Sequence, residues 1–444
     1  MYSEGFAILS SACAVLLATQ NYSSLLGTAS AKASAAGNPK YLAFRNNWLA
    51  VHLLNMMGDW LQGPYMYALY RHYGYSVGQI AQLYVCGFLS SAIFGTLIGS
   101  LADNYGRKRL CLTFAVIYSL SCATMLSPNF AILLFGRLLG GISTSLVYSA
   151  FESWMVSEHN NLKFPSQDLS STFGVATFAN GFVAIVAGMV ANWAVDSYGL
   201  TAPFMISAGH FIVAAAVVQT TWKENYGTSG ATSEKKGAKK AADNKGMFGP
   251  LMKGFHLVST NSLIFITGMT QSLFEGSMYT FVFMWSVALE AITTGADDKL
   301  PYGVIFSSFM VSIMLGSQCF SMLKQNNWSP DAILVLLLGV AFTSFALMAA
   351  FTANATILFW AFNLFEFTCG MYFPTMGILR SQSIPEEVRT SVSNIFRIPL
   401  NLIVVVVLLQ ISKLPLEIVF SICAGLIGTA LVLRGFIGVS KKQQ

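Results

Sequence analysis

Five charged side chains lie deep inside apolar stretches of this 444-residue chain, where an ionised group needs a pathway or a partner. They are Asp59, Arg137, Glu275, Glu366 and Arg397. A charge near the centre of a bilayer costs roughly 2.5–3.5 kcal/mol on insertion scales, so such residues usually line a pathway or pair with one another. These groups would therefore bind and move charged species, or they would hold helices together as structural ion pairs.

Arg137 begins a polar helix face inside the apolar run 135–154. At 100° per residue, Gly141, Tyr148 and Glu152 fall within about 80° of it. Arg137 lies roughly 10 Å below the outer end of its helix, so snorkelling to the surface is an alternative to a role in binding. Glu152, at the inner end, suits a gate or a helix-end pair better than a ligand.

Polar residues accompany the other charges at helical spacing and form stripes in otherwise apolar helices. They are Gln62 near Asp59, Tyr279 near Glu275, Asn363 near Glu366, and Asn394 and Asn401 near Arg397. Pro64 allows a kink that frees backbone groups next to a pathway. No Ser–His–acid order, glycine-rich phosphate loop or metal-spaced cluster occurs, so we expect no enzyme, no cofactor and no metal site.

The composition indicates that these helices lie in a membrane. Hydrophobic residues make up 55% of the chain and charged residues 10%, with a mean hydropathy of +0.60. Soluble domains carry about 25% charged residues. Seven cysteines occur singly inside apolar runs, as free thiols would, and the net charge of +6 comes from lysines in loops rather than from a nucleic-acid surface. The chain is predicted to be an all-α, polytopic membrane protein.

Twelve apolar runs approach the 20-residue length that crosses about 30 Å of hydrocarbon. They cover residues 45–70, 77–101, 108–127, 130–152, 168–194, 201–222, 258–289, 302–323, 330–352, 355–379, 388–411 and 415–438. Breakers that contain proline separate most of them, at 127–129, 164–165, 201–203, 329–330 and 414–415. A shorter run at 6–18 lacks a basic flank, so an uncleaved extra helix is favoured over a signal peptide.

The basic residues predict the orientation. With residue 45 on the cytoplasmic side, twenty of the 25 lysines and arginines lie inside, and Arg71, Lys299 and Lys413 lie outside. This asymmetry follows the positive-inside rule and puts the C-terminus in the cytoplasm.

A hydrophilic stretch rich in Gly, Ser, Ala and Lys divides the spans into six and six. It is typical of a flexible tether, although its lysines could instead contact anionic lipid. The predicted units are an N-terminal hydrophobic helix and linker (1–40), two six-helix bundles (41–222 and 258–438), a cytoplasmic linker (223–257) and a cytoplasmic tail (439–444).

The turn after the second span carries the sharpest motif, GSLADNYGRKR at 99–109. It resembles the signature loop of the major facilitator superfamily, which implies a fold of two six-helix bundles. Gly106 permits a tight turn. Asp103 can accept hydrogen bonds from helix N-termini and from Arg107, latching the halves when the cytoplasmic side is shut. With Glu152, these two residues are the predicted cytoplasmic gate.

Over residues 41–435 the chain resembles the molybdate-anion transporter family of this superfamily. The stretches that carry the resemblance are DWLQGPYMY (59–67), QIAQLYVCG (79–87), 135–154, QSLFEG (271–276), GVIFSSFM (303–310), GMYFP (370–374), IPEE (384–387) and FRIP (396–399). Arg137 with Gly141 also matches the Arg-x-x-x-Gly pattern of the superfamily's fourth span. The resemblance implies high-affinity uptake of molybdate at the cell surface, without a firm signature of ligand residues.

Molybdate is a tetrahedral dianion, and arginine offers fixed N–H donors suited to an oxyanion. Arg137 and Arg397, one from each half, are therefore the predicted ligands. The further candidates are Gln62, Tyr279, Asn394 and Asn401 as neutral donors, and Asp59, Glu275 and Glu366 as proton carriers or ion-pair partners.

A dianion entering a cell against 100 mV costs about 4.6 kcal/mol. This uphill step predicts proton-coupled uptake by alternating access, because a buried carboxylate can carry a proton. We expect a monomer in the bilayer of the plasma membrane, with molybdate and protons as its small-molecule partners. A carrier for sulfate or another small anion, and a non-transporting receptor or scaffold with the same fold, are the alternatives.

Overall fold

The computed structural model describes residues 1–27, 38–226, 249–293, 299–385 and 388–440, which fold into helices joined by turns. The helices of the first half are α1 (Tyr2–Gly27), α2 (Pro39–Gln62), α3 (Met66–His72), α4 (Val77–Tyr105), α5 (Arg107–Thr124), α6 (Phe130–Val147), α7 (Ala150–Asn161), α8 (Ser166–Tyr198) and α9 (Ala202–Thr221). Those of the second half are α10 (Gly249–Thr260), α11 (Ser262–Ile292), α12 (Tyr302–Gln325), α13 (Pro330–Ala350), α14 (Ala355–Ser383), α15 (Arg389–Gln410) and α16 (Leu416–Ser440).

Side-chain caps and prolines fix where the helices begin. Asn38 accepts a hydrogen bond from the backbone N–H of Lys40 at 3.1 Å, and Ser76 with Gln79 forms a capping box. Such caps satisfy the free N–H groups of a first turn. The predicted breakers are confirmed, since helices begin at or just after 127–129, 165, 201–203, 329–330 and 414–415.

Two of the predicted spans are broken inside the first bundle. The first span passes from α2 into α3 through a 3-10 turn at Gly63–Tyr65, where Pro64 has no backbone N–H to donate. The fourth breaks between α6 and α7 without a proline. There the hydroxyls of Ser145 and Ser149 donate to carbonyls four residues back at 3.2 and 2.6 Å, which competes with the helix ladder and bends it.

The helices form two bundles, α2–α9 and α11–α16, which meet along two seams, α8 against α12 and α4 against α15. Eight of the described helical stretches are long and apolar enough to cross a membrane. The helices α2, α11 and α14 are also long, at 24, 31 and 29 residues. They are less apolar and carry Asp59, Glu275 and Glu366, whereas Arg137 and Arg397 lie on stretches that belong to the eight.

Glycines allow the seam and the bundle interiors to close tightly. A Cβ added to Gly188 on α8 would lie 2.6 Å from the carbonyl oxygen of Gly303 on α12, and one on Gly303 would strike the Gly188 carbonyl. Inside the first bundle, Gly141 on α6 meets the carbonyl of Gly87 on α4 in the same way. Any larger side chain at these positions would push the helices apart.

Two helices lie outside the bundles. The expected extra helix α1 packs along α12, where Cys13 lies among Val311 and Met314. The helix α10 falls in the expected linker, and it forms because its Leu257 and Val258 cover the apolar start of α15. Residues 227–248 of that linker, and 441–444 of the tail, lie outside the described ranges.

Candidate functional site

The seam between the bundles is closed at one end, which we call the outer end after the orientation predicted from the basic residues. There Arg71 at the end of α3 forms an ion pair with Glu290 of α11, with Nε 2.9 Å from Oε1. Tyr67 donates its hydroxyl to the same carboxylate at 2.6 Å. These three residues, the outer latch, join the two bundles.

Aromatic contacts continue the closure below the outer latch. Tyr84 and Tyr67 of the first bundle both meet the ring of Phe283, with centroids 5.1 and 6.0 Å apart. One layer further in, Phe88 packs edge-on against Tyr279 at 5.1 Å. Edge-to-face ring pairs at this spacing attract one another and fill the gap between helices. The outer half of the seam is therefore shut.

The inner half is open. Tyr148, at the break between α6 and α7, is 54% exposed, yet it interacts electrostatically with both Asp59 and Tyr279. A cavity of about 200 Å³ extends beside it between α2, α7 and α8, with His52 and Glu152 in its wall. Glu152 is exposed there, at the mouth where a gate residue was expected. With the predicted orientation, this open cavity is on the cytoplasmic side.

Glu275 of α11 is the centre of a polar cluster in the second bundle. Tyr372 donates to its Oε1 at 3.1 Å, and Gln271, one turn away, also hydrogen-bonds to it. Arg380 Nη1 lies 3.5 Å from Gln271 Oε1, and the charges of Arg380 and Arg397 both act on the Glu275 carboxylate. We call these five residues the arginine–glutamate cluster.

Arg397 reaches from α15 across the seam to α4. Its Nη1 lies 3.7 Å from where a Cβ would stand on Gly95, a point that is also 3.4 Å from the Ser145 hydroxyl. Its charge acts on the hydroxyl of Tyr279 as well. The side chain is exposed, so the guanidinium is accessible to a ligand that enters the open half.

The amide candidates offer fewer donors than the sequence predicts. Asn401 donates one N–H to the Arg397 carbonyl at 2.7 Å, within its own helix. Gln62, 2% exposed, donates to the Gly58 carbonyl at 3.2 Å, and its Oε1 has no partner in the described part of the chain. Asn394 is half-buried.

Arg137 lies buried in the outer half of the first bundle, which excludes snorkelling to the surface. It is 9% exposed, its Nη1 lies 2.8 Å from Met66 Sδ, and it hydrogen-bonds with Tyr70. Within the described ranges, its Nε and Nη2 have no hydrogen-bond partner and no carboxylate pairs with it. A buried charge of this kind is expensive unless a ligand or water satisfies it.

The two predicted arginine ligands are not adjacent in this conformation. Arg397 stands beside Ser145, which follows Arg137 by eight residues, or about 12 Å of helix. The Arg137 side chain contacts Met66, nearer the outer end still. One oxyanion does not span this separation.

The remaining carboxylates are held by neutral groups. Tyr118 of α5 donates its hydroxyl to Asp59, and the Cys369 thiol hydrogen-bonds to Glu366, which is 8% exposed. Neither acid forms an ion pair with an arginine among the residues that the structure covers. Arginine charges act on Glu275 alone among the three, and within the described ranges no arginine nitrogen lies within 4 Å of any of these carboxylates.

The signature turn is held by a residue that lies outside the motif. Glu224, just after α9, accepts from the backbone N–H of Lys108 at 2.8 Å. Gly106 has φ +97°, and a Cβ there would lie 2.6 Å from Glu224 Cδ, so the position needs glycine for its conformation and for space. Arg107 donates its backbone N–H to the Asn225 carbonyl at 3.0 Å. The side chain of Asp103 lies outside the described residues.

Sequence reasoning missed several of these residues because they lie at span ends. Arg380 was counted as a cytoplasmic loop residue, yet it turns back into the cluster around Glu275. Arg434 was counted in the same way, yet it is 3% exposed and bonds to Asp331 at 2.7 Å. The pairing of Glu290 with Arg71 could have been predicted, since both residues lie at the same predicted end of the molecule, where basic residues are few.

Comparisons with known proteins agree with this architecture. A family model described as sugar transporters with twelve transmembrane segments matches residues 2–359. The molybdate-anion transporter of Xenopus tropicalis is 34% identical over 397 residues, 87% of this chain and 83% of its own length. That of Danio rerio is 33% identical over 418 residues, 90% of this chain and 85% of its own length.

Among solved structures, the nucleoside transporter NupG matches with a TM-score of 0.69 at 10% identity, over 88% of this chain and 98% of its own. At that identity the likeness supports the fold alone. The family match and the curated relatives go further, because they cover most of the chain. The chain therefore belongs to the molybdate-anion transporter family of the major facilitator superfamily, whose members are membrane transporters and not enzymes.

Proposed function

We propose that this protein is a secondary active transporter that takes up molybdate by alternating access, coupled to protons. The observation that supports this most directly is the arginine–glutamate cluster beside the open half of the seam, where the charges of two arginines act on one carboxylate. Its relatives at about 34% identity are named molybdate-anion transporters.

The oxyanion would bind where Arg380 and Arg397 converge on Glu275. Two guanidiniums and one carboxylate leave a net positive charge, and the N–H forks of arginine match the oxygens of a tetrahedral anion. Tyr279 and Asn394 would add neutral donors from the same side, with Asn401 and Gln62 contributing less. Arg137 would contact the anion in an outward-open state, when the aromatic layer above it has separated.

Glu275 would compete with the substrate for the same arginines. A proton on Glu275 weakens its hold on Arg380 and Arg397, and the dianion then meets two uncompensated cations. Two protons carried with each dianion would also cancel the cost of about 4.6 kcal/mol set by a 100 mV potential. Asp59 and Glu366 are the further candidates for carrying protons.

Alternation would exchange the closed outer end for a closed inner end. The outer latch must break for the outer end to open, and Asp103, Arg107 and Glu152 are the residues proposed to close the inner end. A monomer in the plasma membrane, with its C-terminus in the cytoplasm, completes the proposal.

Uptake of radiolabelled molybdate into proteoliposomes tests the coupling. An imposed gradient, acidic on the side of entry, should raise the initial rate several-fold over symmetric pH. Equal rates with and without the gradient would refute proton coupling and leave molybdate transport intact.

Arg397→Lys tests the binding site. Lysine keeps the charge and loses the bidentate fork, so the affinity should fall about tenfold while folding is preserved. Lys413→Arg, at an exposed turn, is the matched control and should transport normally. Unchanged affinity in Arg397→Lys would remove this residue from the site.

Two other functions make different predictions. A carrier for sulfate or an organic anion would use the same arginines, and a large excess of that anion would then abolish molybdate uptake. A receptor or scaffold with this fold would show no saturable flux in liposomes although it inserts correctly.

A further inference from the structure

The helix α10 presents an apolar face that the described chain leaves uncovered. One side of the helix is occupied, since Leu257 and Val258 pack against the start of α15 in a cluster with Val388. On the neighbouring arc, Met252 and Phe255 are 68% and 61% exposed. In water these would be costly side chains to display on a short helix.

The remaining side of α10 is polar. At 100° per residue, Lys253, His256 and Thr260 fall within an arc of about 60°, and Phe255 lies on the opposite side from Lys253. All three polar residues are exposed. The helix therefore divides into a face against α15, an exposed face that is apolar except for Ser259, and an exposed polar face.

The helix α10 ends where the membrane span begins. Asn261 alone separates it from α11 and caps that helix through its side chain. One turn into α11, Phe265 is 44% exposed, and on α15 the residues Ile398 and Leu402 are 68% and 62% exposed. Exposed apolar side chains therefore occur both on α10 and on the two predicted spans next to it.

We propose that α10 is an interfacial anchor whose occupant is the adjacent lipid leaflet. Met252 and Phe255 insert at the edge of the hydrocarbon, and Lys253 stays among the headgroups. A helix with this division of faces lies in the plane of the membrane surface, with its apolar side about 5–10 Å deep. Because Leu257 and Val258 also hold α15, the anchor ties a helix of the inter-bundle seam to the membrane surface.

Cysteine labelling in nanodiscs tests the anchor, because the labelling reagent reaches both faces of the membrane there. Met252→Cys and Phe255→Cys are compared with the matched polar-face variants Lys253→Cys and Thr260→Cys, using a membrane-impermeant maleimide. The unsubstituted protein supplies the blank for its native thiols, and denatured samples give the total. A thiol in lipid ionises poorly, so the first pair should react at least about tenfold more slowly than the second.

Two outcomes would overturn the proposal. Equal labelling of all four variants in nanodiscs would show that α10 stands in water. Protection of Met252→Cys and Phe255→Cys in membrane fragments from expressing cells, but not in nanodiscs, would identify a protein partner as the occupant. Protection in both preparations supports the lipid anchor, whatever the transported substrate.

Discussion

Glu275 and Arg137 represent two ways in which this chain buries a charge. Glu275 hydrogen-bonds with Tyr372 and Gln271 and feels the charges of two arginines, whereas Arg137 meets a thioether and a phenol. The first arrangement balances charge within the protein. The second leaves a cost that the described chain does not offset, which is why an anion or water is expected there.

Glu275→Gln should mimic a carboxyl that is permanently protonated. Molybdate should still bind, because both arginines remain, but net uptake should lose most of its dependence on a pH gradient. Uptake in proteoliposomes at several imposed gradients measures this. Glu417→Gln, an exposed carboxyl at the start of α16, is the matched control and should keep the wild-type pH response. A wild-type pH response in Glu275→Gln would mean that another acid carries the proton.

Arg137→Met should separate function from stability. A neutral side chain removes the cost of burying an unpaired charge, so the midpoint of thermal unfolding should stay equal or rise. Transport should nevertheless fall at least about tenfold if Arg137 contacts the anion. Thermal unfolding in detergent and uptake in liposomes give the two readouts. A large loss of stability would instead assign Arg137 a structural role.

The sequence identified the residues that carry charge in the site better than it identified their pairing. Asp59, Glu275, Glu366, Arg137 and Arg397 stand out because a charge in an apolar run is rare. Their partners could not be predicted, since a hydroxyl from another helix, such as Tyr118 on Asp59, leaves no pattern along the chain.

The start of α5 shows how an element depends on a distant segment. Its first N–H groups are capped by Glu224, which arrives from the end of α9, and Gly106 leaves the space for it. A carboxylate at a helix N-terminus is favoured by hydrogen bonding and by the helix dipole. The signature turn therefore orients α5 and α9 together.

Gly106→Ala should destabilise this junction by about 1–3 kcal/mol, because alanine rarely adopts its φ and the new Cβ would displace Glu224. Thermal unfolding in detergent should show a midpoint lower by a few degrees. Gly209→Ala, with nothing within 4 Å and no positive φ, is the control and should be neutral or stabilising. An unchanged midpoint for Gly106→Ala would show that the turn adapts.

Sequence signals for elements were reliable where proline and asparagine act locally. The breaker positions predicted most helix starts, because an N-cap works within one turn. The break between α6 and α7 was not predicted, because serine hydroxyls bend a helix only through their rotamers. The helix α10 was missed for a different reason, since it forms through packing on α15 far along the chain.

At the scale of the whole molecule, the two bundles are joined more firmly at the outer end. The outer latch and the aromatic layer beneath it link α3 and α4 to α11, while Tyr148 and Glu152 face open space further in. The six-plus-six organisation followed from counting apolar runs. Which end is closed could not be predicted, because the same contacts are made and broken during the cycle.

Glu290→Gln should shift the molecule toward outward-open states. The latch is about one-third exposed, so its ion pair contributes up to about 1 kcal/mol, and the population ratio should change by roughly two- to fivefold. Pulsed electron spin measurements between labels on Leu126 and Lys413, at the outer ends of the two bundles, would detect a longer distance. Glu417→Gln should leave the distances unchanged. An unchanged distance in Glu290→Gln would mean that the aromatic layer alone holds the outer end closed.

The contact of Gly188 with Gly303 has a consequence for the rate of the transport cycle. Where these two glycines meet, the backbones of α8 and α12 are in direct contact, and the side chains nearest to Gly188 are the small Ser307, which donates to the Ile185 carbonyl at 2.8 Å, and the edge of Phe306. Few side chains have to change rotamer when the two helices turn against each other here, so we expect little friction along this line. The energy barrier of the cycle would then reside mainly in the polar bonds at the two ends of the cavity, and changes there would alter the turnover rate more than changes along this helix contact.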